Sequence, residues 1–492
     1  MPLKHSVGFA LLAMAALAGC RAAPDDPTLV AVPGGEIRGT EQDGDLVFRG
    51  IPFAAPPLGD LRWQPPQPTI GWDGERVAVE RAPACPQTSE GWNQWEADNW
   101  SEDCLTLDIR TPSLDGSLPV MVWIHGGSNR AGSSAGPADS NMTDQGVVHV
   151  GIQYRLGLLG FLSHPELSAE GDGASGNYAL MDQVFALQWV RDNIEKFGGD
   201  PGNVTIYGES AGSQDTSLML AAPAAQGLFH KAILQSGTPG FGLPFRSLAE
   251  GEELGAQLGQ VVDLRATPID ELLAIQSGFG DPEIGDPPMV FLRTTVDGNV
   301  LPDAPDRLIA ANAPVPVIVG TDKVELGWAD LPDAELENYL RRGVGDNAPA
   351  AAIAYRAEDP DPRRGPLGMR IGSDTVFHCP TDRLADLLAE NDYPVWRYEF
   401  DVGPDGGLTS HAYEIGFIFG HEPVGGGVQM QDYWASLAIN GDPNGATAIA
   451  GERPEWTQWE TAEPRQMAFG EAVTTMESGK PRAEFCAFNN YF

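Results

Sequence analysis

Two segments of the chain place a serine between glycines in a G-x-S-x-G arrangement: Gly132-Ser133-Ser134-Ala135-Gly136 and Gly208-Glu209-Ser210-Ala211-Gly212. A serine hydroxyl near its free pKa is a weak nucleophile, so a working one needs a base beside it and a group that orients the base. It also needs a sharp strand-to-helix turn that lifts the hydroxyl clear of the backbone. Glycines two residues to either side then avoid collision with the adjoining strand and helix. The surroundings separate the two matches. Val204-Thr205-Ile206-Tyr207 is β-branched or aromatic and runs directly into Gly208, and Ser213 through Ala222 can continue as helix. Ser134 follows a glycine-rich stretch, is trailed by Pro137, and reads as loop. Ser210 is the candidate nucleophile.

The partners follow from chain order, which for this kind of elbow is serine, acid, histidine. Of eight histidines, His378, His411 and His421 come late enough. His378 abuts Cys379 and reads as structural. His411 lies in GPDGGLTSHAYEIGF, a glycine-rich loop after the strand-like VWRYEFDV, and is favoured over His421, which follows Phe419-Gly420. For the acid, the segment after PVPVIVG offers Asp322 and Glu325, and spacing leaves both open. The strand-like VMVWI ends in His125-Gly126-Gly127, where bare backbone can approach a ligand. The amides of Gly126 and Gly127, with that of Ala211, would form a three-donor hole for the oxyanion of acyl transfer. No H-E-x-x-H or C-x-x-C occurs, so a metal-dependent hydrolysis has no ligand motif to rest on.

These residues need a scaffold. Short alternating runs, LVAVPGGEIRGT and DLVFRGIPFA, are consistent with an antiparallel hairpin near the start. After a loop-rich region, apolar strands (LPVMVWIHGG, VVHVGIQYR, NVTIYG, KAILQSG, PVPVIVG, PVWRYEFDV) alternate with helical patterns such as YALMDQVFALQWVRDNIEKF and DYWASLAI. Such alternation predicts one large α/β domain, a mostly parallel central sheet with helices on both faces. The working edge of such a sheet lies at the carboxyl ends of its strands, where Gly208, Gly126 and the loop of His411 all fall.

The ordered set resembles the type B carboxylesterases, a family that includes the cholinesterases. The resemblance runs from about residue 30 to the C-terminus. It is carried by FRGIPFAAPPLGDLRWQPP (48–66), SEDCLTLDIRTP (101–112), QYRLGLLGFL (153–162), GNYALMDQVFALQWVRDNIEKFGGDPGNVTIYGESAG (176–212), FHKAILQSG (229–237), SHAYEIGFIFG (410–420) and YWASLAINGDPN (433–444). It implies the α/β-hydrolase fold and a serine esterase without a cofactor, acting on a small-molecule ester. Ser210 then matches the nucleophile, His411 the base, and Glu325, in TDKVELG, the acid. Gly126, Gly127 and Ala211 match the oxyanion hole, Glu209 a carboxylate beside the nucleophile, and Ser236 a serine that supports the acid. Cys85–Cys104 and Cys379–Cys486 match two disulfides of the family.

Several positions depart from the family pattern. Val324 and Leu326 interrupt the usual D-E-G around the acid. Gln214-Asp215 replaces small residues after the elbow, Asp215 reading as structural, and Gln153 stands where Asn is common. Trp92, Trp95 and Trp100 lie in the Cys85–Cys104 loop, but their spacing is not that of the cholinesterase choline-binding tryptophan, so choline specificity is not implied and the rings read as packing the loop or lining an entrance. The same machinery could cleave an amide, thioester, lactone or carbamate. Cholinesterase-like binding modules without activity lack members of the triad, and this chain has all three.

Composition narrows the partners. With 30 Lys and Arg against 69 Asp and Glu, the formal charge is −39, a field that repels phosphate backbones and speaks against nucleic acid. No internal segment approaches the ~20 apolar residues of a membrane span. At the N-terminus, Lys4 precedes the apolar VGFALLAMAALA, which ends in Leu17-Ala18-Gly19-Cys20. This resembles a bacterial lipobox and predicts a lipoprotein-type signal segment over 1–19, a lipidated Cys20, a tether over 20–28 and the catalytic domain over 29–492. Cleavage after Ala16-Leu17-Ala18 is the rival. Five cysteines leave one unpaired in an exported protein, and lipid on Cys20 would account for it. The expected location is the cell envelope, periplasmic or on the outer face, with membrane contact through that lipid alone; the alternative is a secreted protein.

Overall fold

Along the central strands, successive residues face two different apolar cores. Val120, Val122 and Ile124 belong to one, Met121 and Trp123 to the other; Ala232 and Leu234 oppose Ile233, and Val317 and Val319 oppose Ile318. Side chains alternate along a strand, so a run that is apolar at every position buries both faces of its sheet. Each side chain of this size removed fully from water contributes roughly 1.5–3 kcal/mol. The computed structural model describes residues 26–171, 173–259, 263–281, 289–327, 335–420, 422–447, 449 and 451–489. The expected signal segment, Cys20, most of the tether, and His421 lie outside these residues.

In chain order the main sheet comprises β1 (Thr40–Gln42), β2 (Asp45–Pro52), β3 (Thr106–Thr111), β4 (Leu118–Ile124), β5 (Val148–Ile152), β6 (Gly199–Glu209), β7 (Lys231–Gln235), β8 (Val317–Asp322), β9 (Val395–Asp401), β10 (Arg465–Gly470) and β11 (Thr474–Ser478). Its spatial order is β11-β10-β9-β8-β7-β6-β4-β5-β3-β2-β1. The seven strands from β10 to β5 are parallel, and antiparallel strands flank them at both ends. Helices α1 (Tyr178–Asn193), α2 (Ala211–Ala221) and α3 (Cys379–Glu390) cover one face through Leu187, Leu218 and Leu384. Helix α4 (Met430–Asn440) covers the other through Tyr433, Trp434 and Leu437. The fold is therefore the expected α/β-hydrolase arrangement in one large domain.

The start of the chain differs from the single expected hairpin. Leu29–Val32 and Gly35–Arg38 pair with each other and join Glu75–Val77 in a separate small sheet, while β1 and β2 form a second hairpin within the main one. Strand β3 has no apolar run to announce it. Its Arg110 donates to Asp45 at 2.6 Å, and its Asp108 accepts from the Gly50 amide at 2.7 Å, so buried polar pairing holds it in place. Both disulfides implied by the resemblance are present. Closing loops of 19 and 107 residues, they restrict the unfolded chain by about 3 and about 4.7 kcal/mol in the chain-entropy treatment.

Candidate active site

Strand β6 ends at Glu209 and helix α2 begins at Ala211, so Ser210 alone makes the turn, at φ 55° and ψ −124°. The flanking glycines have the steric role expected of them. A Cβ on Gly208 would stand 2.4 Å from the carbonyl carbon of Gly212, and one on Gly212 would stand 2.0 Å from the Ile124 carbonyl oxygen. Gly126 is equally confined, because its Cβ would lie 2.5 Å from the Glu209 carbonyl oxygen and 3.1 Å from the Ser210 Cβ. The elbow and the end of β4 thus touch backbone to backbone.

His411 approaches from the loop after β9. Its Nε2 lies 2.8 Å from Ser210 Oγ, and its Nδ1 lies 2.6 Å from Glu325 Oε2. Glu325, just past the end of β8, is fixed in turn: its Oε1 accepts from Ser236 Oγ at 2.7 Å and from the Asp322 amide at 2.7 Å. Its own amide donates to Ser373 Oγ at 3.0 Å. Of the two acids the sequence left open, Glu325 reaches the imidazole. The Asp322 carboxylate instead accepts from the Tyr413 amide at 3.3 Å.

A further carboxyl stands against the imidazole. Glu209 Oε1 stands 3.2 Å from His411 Nε2. Burial pushes the Glu209 carboxyl up, to about 8, helped by the charges of Glu414 and Glu325 and opposed by that of His411. Burial alone would lower His411, but Glu209, the hydrogen bond and charge of Glu325, and Glu414 outweigh it and raise the imidazole to about 9. Glu209 and His411 thus form a buried charge pair in which the carboxylate favours the imidazolium. Behind them, burial holds Asp322 well above the usual carboxylate range, and the charges of the buried Glu414 and Glu325 push it the same way. Glu414 also accepts from Gln235 at 3.2 Å. Sequence reasoning missed Glu414, although it falls three residues after His411 on the same loop, and it missed Phe377, whose ring centre lies 4.9 Å from that of the imidazole.

Ser210 opens into a cavity of about 440 Å³ whose wall is mainly apolar, with Phe241, Leu243, Leu292 and Phe377 prominent. This volume suits a small organic substrate. The amides of Gly126 and Gly127 donate to no group among the described residues. That of Ala211, the first helical residue, is one of the donors a helix start leaves free. Ser128, at φ 55°, also lines this cavity and was not singled out by sequence. No group of acidic, histidine or cysteine side chains among the described residues could hold a metal ion.

The other residues in question are structural. Ser134 is buried at the start of a short helix (Ala135–Asp139) and donates to Asp108 at 3.1 Å. His378 is buried, with Thr321 Oγ1 3.1 Å from its Nδ1 and the Lys323 carbonyl 3.2 Å from its Nε2. Gln153 donates to the Pro83 carbonyl, and Gln214 ties α2 to the Leu292 carbonyl of the cavity wall at 2.6 Å. Asp215 is fully buried and accepts from Gln183; burial pushes its carboxyl up to about 7. Trp95 stacks under the Arg81 guanidinium at 3.9 Å, and Trp92 is exposed, so neither is part of the cavity wall.

A model of the carboxylesterase family matches residues 26–489. Fumonisin B1 esterase of Sphingopyxis macrogoltabida is 35% identical to the chain over 521 residues, covering 96% of this chain and 93% of that protein. Liver carboxylesterase 1 of Oryctolagus cuniculus is 32% identical, covering 96% and 98% respectively. Among solved structures, the carboxylesterase of Geobacillus stearothermophilus superposes with a TM-score of 0.79 at 31% identity, covering 94% of this chain and all of the other.

Proposed function

The chain belongs to the carboxylesterase family and is a carboxylic ester hydrolase, and from that premise we propose that Ser210, His411 and Glu325 carry its reaction. The observation that supports this most is the unbroken line from Ser210 Oγ through His411 to Glu325, with contacts of 2.8 and 2.6 Å. Ser210 Oγ attacks the ester carbonyl while His411 Nε2 takes its proton. Glu325 keeps the imidazole in the required orientation and tautomer and offsets the charge it gains. The carbonyl oxygen becomes an oxyanion facing the amides of Gly126, Gly127 and Ala211. Collapse expels the alcohol, which leaves with the proton from Nε2. Water, deprotonated by the same nitrogen, then attacks the acyl-enzyme and releases the acid and Ser210.

The base must be unprotonated to begin. The Glu209 carboxylate beside it favours the imidazolium and so opposes formation of that state. The acyl and alcohol groups of the substrate have about 440 Å³ of mainly apolar space beside Ser210. A panel of p-nitrophenyl esters graded in acyl length, run against the matching anilides and thioesters, tests the bond cleaved. Faster turnover of the esters is expected; faster turnover of the anilides would overturn the ester assignment.

We also propose export and a lipid anchor on Cys20. The other four cysteines are paired with each other, which leaves Cys20 as the odd thiol, and it follows the Leu17-Ala18-Gly19 run. Mass spectrometry of the mature N-terminus should find a diacylglyceryl group on Cys20 and no residues 1–19. An unmodified chain starting at Gly19 would refute the anchor.

A further inference from the structure

The small sheet at the start of the domain has one face turned out of the fold. Val30, Val32 and Ile37 are buried in the core, so Leu29, Ala31, Glu36 and Arg38, which alternate with them, point the other way. Glu75 and Val77 pair with Glu36 and Arg38 and share that outer face. Across it, Arg38 donates to both carboxylate oxygens of Glu75 and, at 2.5 Å, to Asp26, the first residue described. Arg38 thus pairs with two of the carboxylates that border this face. Val77 beside it is 64% exposed.

At the turn end of the same hairpin, Trp72 lies against Gly34 and Gly35 and donates through Nε1 to the Glu36 carbonyl at 3.0 Å. Two residues earlier, Ile70 is 70% exposed. Scattered apolar side chains on a surface need no explanation. Here, however, two of the three most exposed large apolar side chains among the described residues fall within the one short segment that edges this sheet.

What the face meets follows from where the chain enters it. Six residues carry the backbone from Cys20 to Asp26, and fully extended they span at most about 22 Å. A bilayer that takes up a lipid on Cys20 therefore lies within that reach of Asp26 and of the sheet face that Asp26 borders. We infer that this outer face, with Ile70 and Val77, is the surface by which the protein rests on a lipid leaflet. The inference rests on the lipid anchor proposed for Cys20. The lipid supplies the affinity, and the exposed apolar side chains select which side of the domain turns toward the leaflet. Trp72, with an apolar ring and an N–H, suits the headgroup boundary. A chain of formal charge −39 is repelled by anionic lipid, so the leaflet it fits is zwitterionic. None of these residues lines the cavity beside Ser210, so the resting face and the catalytic site use different parts of the surface.

The test uses the full lipidated chain in vesicles of phosphatidylcholine and phosphatidylethanolamine. Ile70→Cys, Val77→Cys and Ile353→Cys each carry an environment-sensitive fluorophore, and the quencher is a phosphatidylcholine spin-labelled near its headgroup. Ile353 is the control, as exposed as Ile70 but on the helix Ala348–Ala357, which packs against Leu336, Leu340 and Phe485. All three side chains are already exposed, so the labels displace no packing. Labels at 70 and 77 should be quenched severalfold more than the label at 353. Equal quenching at the three positions, or stronger quenching at 353, in protein that floats with the vesicles would overturn the inference. Protein that does not float and carries no diacylglyceryl group on Cys20 by mass spectrometry would instead remove the reading it rests on, so the two failures are distinguishable.

Discussion

Glu209 Oε1 stands 3.2 Å from His411 Nε2, on the nitrogen that must receive the Ser210 proton. Its charge is the largest influence raising the imidazole, which burial alone would lower. Replacing Glu209 by Gln removes that charge. The bare imidazole then forms at lower pH, so the acidic limb of the kcat/KM profile should move down in Glu209→Gln. The sign follows from the base being active when unprotonated: less anionic surroundings make it easier to deprotonate. A limb that moved upward would show that Glu209 does not hold the proton on His411.

The two acids that chain spacing could not separate make different contacts, Glu325 with the imidazole and Asp322 with the Tyr413 amide. Glu325→Gln should lower kcat by about 10³–10⁴-fold, as expected when the orienting acid of a triad is neutralised. Asp322→Asn should cost less than about tenfold, since its amide, not its carboxyl, supports Glu325. Equal losses in the two variants would contradict this division of roles.

Asp215 supplies a stability test away from the chemistry. Its carboxyl is fully buried and raised from an ordinary 3.8 to about 7. A raised folded-state value for an acid means that ionisation opposes the native state. The opposition grows as pH climbs from about 4 to about 7 and is constant above. Asp215→Asn keeps an acceptor for Gln183 and removes the charge, so it should stabilise the protein by on the order of 2–4 kcal/mol at pH 8 and by almost nothing at pH 4. Denaturant melts at the two pH values measure it.

Much of this site can be read in the sequence because steric necessity leaves a trace there. Gly208 and Gly212 are glycines because a Cβ on either would strike backbone, and the apolar runs of β4, β6, β7 and β8 declare strands buried on both faces. Other features leave no trace. Asp322 and Glu325 lie within three residues, and only the end of β8 decides which carboxylate turns toward His411. Ser128 looks like any turn serine until its φ and its place on the cavity wall are known. Strand β3 is hidden by Asp108 and Arg110, whose polarity suits an exposed segment but which are buried by partners distant in sequence. Strand β11 likewise carries no buried run to announce it, being an edge strand whose last two residues are exposed.

The proposal that Ser210 is the nucleophile is tested most directly by labelling with diisopropyl fluorophosphate followed by peptide mass spectrometry. A single phosphoryl adduct is predicted, on the peptide that carries Ser210, and it should disappear in Ser210→Ala together with ester hydrolysis. An adduct on another serine, Ser134 included, or hydrolysis continuing at the wild-type rate in Ser210→Ala, would contradict the assignment.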